Sequence, residues 1–470
     1  MSGFRHYRWL VITVLLIPML AGCGGTTTTT TTSATSAAGA SGASGAPTES
    51  GGTSAATSAA ASGGTSAGPN FSQLQVEPNA QLTVSSWGDP SEQKVNQDSF
   101  NRFTKLFPTV KITYQPSPKD YQTKMKADAA GNTLADVFYL DASLMTAFAP
   151  NGILLDLTPS MQQAGVSTSD YIGQLANEFV LDNKVYGLPK DFGSLALFVN
   201  NNMAQKAGID PASIKTWDDW RNAAAKMSSG SGNARIYGQC SDSSVERVGA
   251  LVLQNGGSFV DNGKAAFDSQ QAIQAYTFFY GMKKDNIAAM SSDVAASWCG
   301  EAFAKQRVAM AMEGGWLAPF MADPTNGATN VKYTVIPLPQ PSGGKQADLV
   351  FTNAWAASAS SKYPKAAAAL VLFLTSAQNQ QPITETGFAL PTVKTVLSDP
   401  YFARNPNAKV LAEAGNYGTP SDLVFGGPSK TDDVKKPLNQ AGEKIWLGQG
   451  DVKSVLDQTT PQVDQVLSQQ

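Results

Sequence analysis

The stretch QLTVSSWGDP, Gln81 to Pro90, opens the ordered part of the chain and decides how the rest is read. Gln81 to Ser86 alternates apolar and polar residues, the period of a half-buried strand, and WGDP supplies a turn. Ser91 is placed to cap a helix whose Val95, Phe100, Phe103 and Phe107 recur at roughly helical spacing, with Pro108 as its stop. Val110 to Tyr114 then predicts a second strand, Asp120 to Ala130 a second helix ended by Gly131 and Asn132, and Ala135 to Leu140 a buried strand. Strand alternating with helix in this way implies parallel α/β organisation.

Downstream, KVYGLPKDFGSLALFVNNNM (Lys184 to Met203) contains the continuous apolar strand SLALFV, and Thr216 is placed to cap a helix beginning WDDW, with Asp218 and Asp219 in its positive first turn. FAKQRVAMAM, Phe303 to Met312, leads through Glu313, Gly314 and Gly315 to Trp316. YTVIPLPQPSGG predicts a strand and a crossover; a further strand follows, then a helical run from Pro364. About 400 residues from residue 71 onward exceed one core, so two domains are expected.

Before Gln81 the chain has a different character. Arg5 and Arg8 precede an apolar run from Trp9 to Leu20, about a dozen residues and short of the roughly 20 that span a bilayer. Leu20-Ala21-Gly22-Cys23 resembles a bacterial lipoprotein processing box, which implies cleavage after residue 22 and a diacylglyceryl anchor on Cys23. Two acyl chains suffice for stable anchoring, at about 0.8 kcal/mol for each buried methylene. A cysteine buried in a signal-anchor helix is the structural alternative. Gly24 to Asn70 is almost wholly Thr, Ser, Ala and Gly with Glu49 as its only charge, a composition that cannot offset the entropy of ordering. As a coil it spans roughly 35 to 40 Å, the reach of a tether.

Composition excludes several chemistries. Without residues 1–22 the net charge of −3 falls to about −5, which argues against a nucleic-acid partner. The sole histidine, His6, leaves with the signal, which removes Ser-His-Asp and Cys-His catalysis and histidine-ligated metal sites. Neither a phosphate-cradling glycine loop nor an EF-hand spacing is present, so no cofactor or metal is expected. Cys240 and Cys299 form an even pair in an exported chain and are expected as a disulfide, worth about 4 kcal/mol in the chain-entropy picture; two buried free thiols are the alternative.

The order of LTVSSWGDP, ADVFYLD, FAPNGILLDLTP, VYGLPKDFGSLALFVNN, TWDDW, VAMAMEGGW, and KYPKAAAALVLFLTS followed by GFALPT resembles the extracellular solute-binding proteins of bacterial ABC importers, in the branch that includes maltose- and oligosaccharide-binding lipoproteins. The resemblance covers nearly all of residues 80 to 400. It implies an α/β fold of two lobes (type II) with a ligand cleft between them and hinges near Pro189 to Leu197, Gln340 to Val350 and residues 395 to 405. The expected division is a signal at 1–22, a lipidated tether at 23–70, a first lobe from 71–190 plus 350–398, and a second from 191–349 plus 399–470. The implied role is a monomeric, lipid-anchored receptor on the extracytoplasmic face of the cell membrane, without enzymatic activity. It would hand a carbohydrate to the transmembrane subunits of a permease.

A pyranose has an apolar C–H face and a hydroxyl rim, so its site needs flat aromatics with carboxylates or amides, in an open α/β sheet at strand ends. Trp87, Asp89, Tyr139, Asp141, Asp191, Phe192, Glu313, Trp316, Asn353 and Trp355 fit that description, with Tyr417 and Phe425 as weaker candidates. Each has a packing or capping alternative: Asp89 in its turn with Pro90, Tyr139 in the core, Trp316 as a packed aromatic. Trp217, Trp220 and Trp446 are read as packing residues and Lys430 to Lys436 as a solvated face. The rival functions are a receptor for an amino acid or polyamine and a surface glycoside hydrolase, which needs two carboxylates and no histidine.

Overall fold

The computed structural model describes residues 70–469 except Asp89, Pro118, Lys119 and Gln174, so the expectations for residues 1–69, Cys23 among them, lie outside the described residues.

The opening strand, helix, strand, helix, strand forms as Gln81–Ser85, Pro90–Leu106, Lys111–Tyr114, Tyr121–Ala130 and Val137–Leu140, its three strands parallel and the first in the middle. The first helix starts at Pro90, one residue ahead of the expected cap, because proline is pre-set for the first helical position and lacks only a donor that would go unused there. Thr216 caps the helix Trp217–Met227 reciprocally: its hydroxyl accepts from Asp219 N at 3.1 Å, and Asp219 Oδ2 accepts from Thr216 N at 2.9 Å.

SLALFV proves to be part of a single 14-residue strand, Gly187–Asn200. Its first half pairs antiparallel with the return strand Asp348–Ala357, and its second half with Val308–Gly314 on one side and Tyr333–Ile336 on the other. The sheet is therefore continuous, running from Ala288–Ala289 through Tyr237–Cys240, Val308–Gly314, the long strand and the return strand to Val137–Leu140, Gln81–Ser85 and Lys111–Tyr114.

Packing divides along this path. One core joins Leu82, Phe100, Phe138 and Leu140 to Ala354–Ala357 and the helix Pro364–Leu374, whose residues from Ala366 onward are all buried. Beyond Leu195 the apolar residues pack on both faces of the other part of the sheet, around Trp220, Phe259 and Phe279 on one face and Phe198, Phe303 and Leu411 on the other. The chain is a two-lobed α/β protein, with two antiparallel strands passing from lobe to lobe. Cys240 and Cys299 are joined as a disulfide across the second lobe. Among the described residues no helix is long and apolar enough to cross a membrane.

Candidate functional site: a cleft along the crossing strands

Three connected voids lie along the crossing strands. The largest, about 400 Å³, is lined by Trp87, Asp191, Phe192, Trp316, Phe388 and Tyr401 among others. A second of about 370 Å³ shares Trp87 with it and adds Tyr121, Asp141 and Asn353. A third of about 210 Å³ shares Gln122, Asp141 and Asn353 with the second and ends at Asp422 and Lys435.

Strand ends supply the first-lobe wall. Trp87 follows Gln81–Ser85, and its half-buried indole meets Tyr121 and Tyr139 edge-on, with ring centroids 5.0 and 4.8 Å away. Asp141 follows Val137–Leu140 and caps the helix Ala142–Phe148, Oδ1 accepting from Ser143 N at 2.9 Å, so the capping and cleft roles coincide in one side chain.

Tyr139 lies beneath this wall, only 1% exposed. It donates to Glu92 Oε1 at 3.0 Å, and burial, with Glu92 next, pushes its pKa well above the usual tyrosine value. Trp355, 3% exposed, packs on it at 4.2 Å. Neither lines the three voids: Tyr139 supports Trp87 and Trp355 backs Tyr139, and both line a gap of about 20 Å³ that shares Lys190, Asp191 and Phe388 with the largest void. Asp191 and Asn353 face each other across the crossing strands in register. Asp191 is tied to Lys190, which also pairs with Glu92 at 3.2 Å and lies 4.8 Å over the Tyr139 ring. Burial works against the Lys190 charge, but Asp191 and Glu92 outweigh it and raise its pKa.

On the second lobe Trp316 stands 39% exposed. A Cβ on Gly314 would come within 2.2 Å of its ring and one on Gly193 within 3.1 Å, so the indole rests against backbone that only glycine leaves open. Its Nε1 donates to Glu313 Oε2 at 2.9 Å. Glu313 is buried, pairs with Arg247 at 2.9 Å, and holds Trp316 from behind. Burial raises the Glu313 pKa against the opposing pull of Arg247. Phe192 is buried in the second-lobe core and offers an edge to the largest void. Phe425 is fully buried against Phe259, and Tyr417 is half-buried with its pKa pushed up to about 12 by burial. Asp89 lies outside the described residues.

Sequence reading missed Glu92, Lys190, Arg247, Glu178, Asp422 and Lys435. Lys190 adjoins Asp191 and Glu92 lies in the first turn after Trp87, so proximity to named residues was a usable signal for both. Glu178 and Asp422 sit in no motif, and tertiary folding alone brings them to Asp141. Among the described residues no group of three or more His, Cys, Asp or Glu side chains is placed to hold a metal.

Several proteins similar to this chain carry names that describe binding. A galactooligosaccharide-binding protein of Bacillus subtilis (strain 168) is 20% identical over 401 residues, covering 83% of this chain and 91% of that one. An ABC substrate-binding protein from Listeria monocytogenes, solved with cycloalternan, superposes with a TM-score of 0.72 at 21% identity over 83% of this chain and all of that one. The GacH receptor of Streptomyces glaucescens, solved unliganded and with acarbose, gives 0.70 at 23% identity, over 83% of this chain and 99% of that one. Residues 98–410 match the family described as bacterial extracellular solute-binding protein, and the chain belongs to that family.

Proposed function

We propose that the protein is an extracytoplasmic receptor that captures an oligosaccharide between its lobes and delivers it to an ABC-type permease. The carrying observation is the composition of the cleft: Trp87 and Trp316 offer aromatic surface, while Asp141, Asp191 and Asn353 supply acceptors and an amide for hydroxyls. The oligosaccharide-binding relative spans most of both chains and supports the same ligand class. Closure shifts an existing equilibrium between open and closed lobes about the crossing strands, and the closed form docks on the permease. The protein works as a monomer, held to the membrane through acylated Cys23, and does not turn its ligand over.

Thermal unfolding of the mature chain against mono- and oligosaccharides, amino acids and polyamines tests this reading. A sugar at 100 times its dissociation constant raises stability by about 2.7 kcal/mol, visible as a melting shift. Recovery of the same sugar intact after long incubation excludes a hydrolase. A shift with amino acids alone overturns the carbohydrate reading. Replacement of Cys23 by serine releases the protein into the medium if the anchor is as stated.

A further inference from the structure

Trp316 is the aromatic of the second-lobe wall, and a few packed residues connect it to the Cys240–Cys299 bridge. Cys240 ends the strand Tyr237–Cys240 and stands in parallel register with Ala311, two residues before Glu313 on the neighbouring strand. Cys299 is the first residue of the helix Cys299–Ala304, and both cysteines are buried. The bridge therefore pins the start of that helix to the end of a sheet strand.

Residues 298–300 reach the base of Trp316 by two routes. Trp298 packs edge-on against Phe320, with ring centroids 5.0 Å apart, and Phe320 belongs to the helix Leu317–Ala322 that begins directly after Trp316. A Cβ on Gly300 would come within 2.1 Å of the Trp298 ring, so this indole lies against the backbone of the helix start. The second route is Glu313, whose Oε2 accepts from Trp316 Nε1 at 2.9 Å. Burial raises the Glu313 pKa, and the Gly300 backbone N–H is among the groups that oppose the rise. Leu317 and Met321 share one apolar cluster with both cysteines and Phe303.

Local structure holds this helix start weakly. Six residues are too few for a helix to stand on its own. Trp298 in the cap position makes no side-chain capping bond, and the tie from Ser297 N to Glu301 Oε2, at 2.6 Å, lies at the surface. Just upstream Ala295 takes a φ of 56°, a region that non-glycine residues seldom adopt. The covalent constraint on the segment is the bridge.

We propose that the Cys240–Cys299 bridge is a positioning element of the ligand cleft: it fixes residues 298–300, which set the seat of Trp316, so that ligand affinity falls when the bridge is opened while the fold persists. Opening by a dithiol breaks the S–S bond, leaves a thiol on each cysteine and closes the dithiol into its own disulfide. The inference rests on the carbohydrate reading, in which Trp316 faces the ligand.

The test is acrylamide quenching of tryptophan fluorescence in the mature chain, well below its melting temperature. Three forms are compared: the parent, the parent reduced with dithiothreitol, and the double variant Cys240→Ser with Cys299→Ser. Each is paired with its Trp316→Phe counterpart, so that the difference reports Trp316 alone. Opening the bridge by either route raises quenching of the Trp316 component. Affinity for maltotetraose or galactotriose, measured by calorimetry, falls by about threefold to tenfold, the range of coupling through packed side chains. In the Trp316→Phe background the state of the bridge leaves affinity unchanged. A lower melting temperature with Trp316 quenching and affinity unmoved makes the bridge a stability element alone and overturns the proposal. So does a fall of the same size in the Trp316→Phe background, and so does unfolding of both the reduced and the substituted chains, seen by circular dichroism. Neither sugar bound by the bridged parent, with Trp316 quenching still dependent on the bridge, counts against the carbohydrate reading and leaves the positioning role standing.

Discussion

Glu313 Oε2 accepts two hydrogen bonds at 2.9 Å, one from the Trp316 indole and one from the Arg247 guanidinium, and Arg247 lies 5.7 Å over the Trp316 ring. A buried ion pair and the exposed aromatic of the cleft thus share one carboxylate oxygen. Removing that carboxylate takes away the ion-pair partner of Arg247, and breaking a buried pair typically costs about 3 to 5 kcal/mol. Glu313→Ala is expected to lose stability in that range by denaturant unfolding. Glu313→Gln, which keeps an acceptor for the indole, loses less and preserves more of the Trp316 fluorescence signature.

The seat of Trp316 makes a separate prediction. Because a Cβ at Gly314 would lie 2.2 Å from the ring, Gly314→Ala forces the indole off its bed. Ligand affinity falls in that variant by about tenfold, the ratio carried by 1.4 kcal/mol, as it does in Trp316→Ala. Equal affinity in the parent and both variants, measured by calorimetry, removes Trp316 from the ligand.

The buried acid at the other end of the cleft sets a pH dependence in the ligand-free protein. Glu178 has a folded pKa of about 9 against an ordinary 4.5, so the folded state holds a proton that the unfolded chain has already lost. Its contribution is fully present below pH about 4.5 and disappears as pH rises toward 9. Asp141, Asp422, Glu246, Asp432 and Lys435 line the same void. Melting temperature is expected to fall between pH 5 and 9, and Glu178→Gln to flatten that slope by several degrees at the alkaline end. A slope unchanged in the variant assigns the loss to other groups.

The Cys240–Cys299 bridge closes a separation of 59 residues within the second lobe. Changing both cysteines to serine is expected to lower unfolding free energy by about 2 to 4 kcal/mol, and reductant to do the same to the parent while leaving the double variant unaffected. Denaturant titrations with and without reductant check both statements.

Local pattern carried a long way into the architecture. Alternation in Gln81 to Ser86, the cap at Thr216 and the apolar run from Pro364 each appear as elements close to where they were expected. Trp87, Asp141, Asp191, Trp316 and Asn353 do line the cleft voids: Trp87, Asp141 and Trp316 follow strands, whereas Asp191 and Asn353 lie within the two crossing strands. Tyr139 and Trp355 follow the same strand-end logic yet turn inward, since alternate residues of a strand face opposite sides and sequence alone does not say which side is buried twice. The acidic end was illegible for another reason: Glu178 lies in the short helical turn Leu175–Phe179 and Asp422 in another, Ser421–Val424, and neither spacing relates them to Asp141.

The crossing strands also fix the order in which the molecule can assemble. Ala354–Ala357 and the helix Pro364–Leu374 complete the first core, yet they are synthesised after the whole stretch from Leu195 to Phe351 that packs in the second lobe. A chain emerging N-terminus first therefore cannot close its first lobe until most of its length has appeared. Contacts this distant in sequence slow folding, which favours a chain still unfolded while it is being threaded out of the cell.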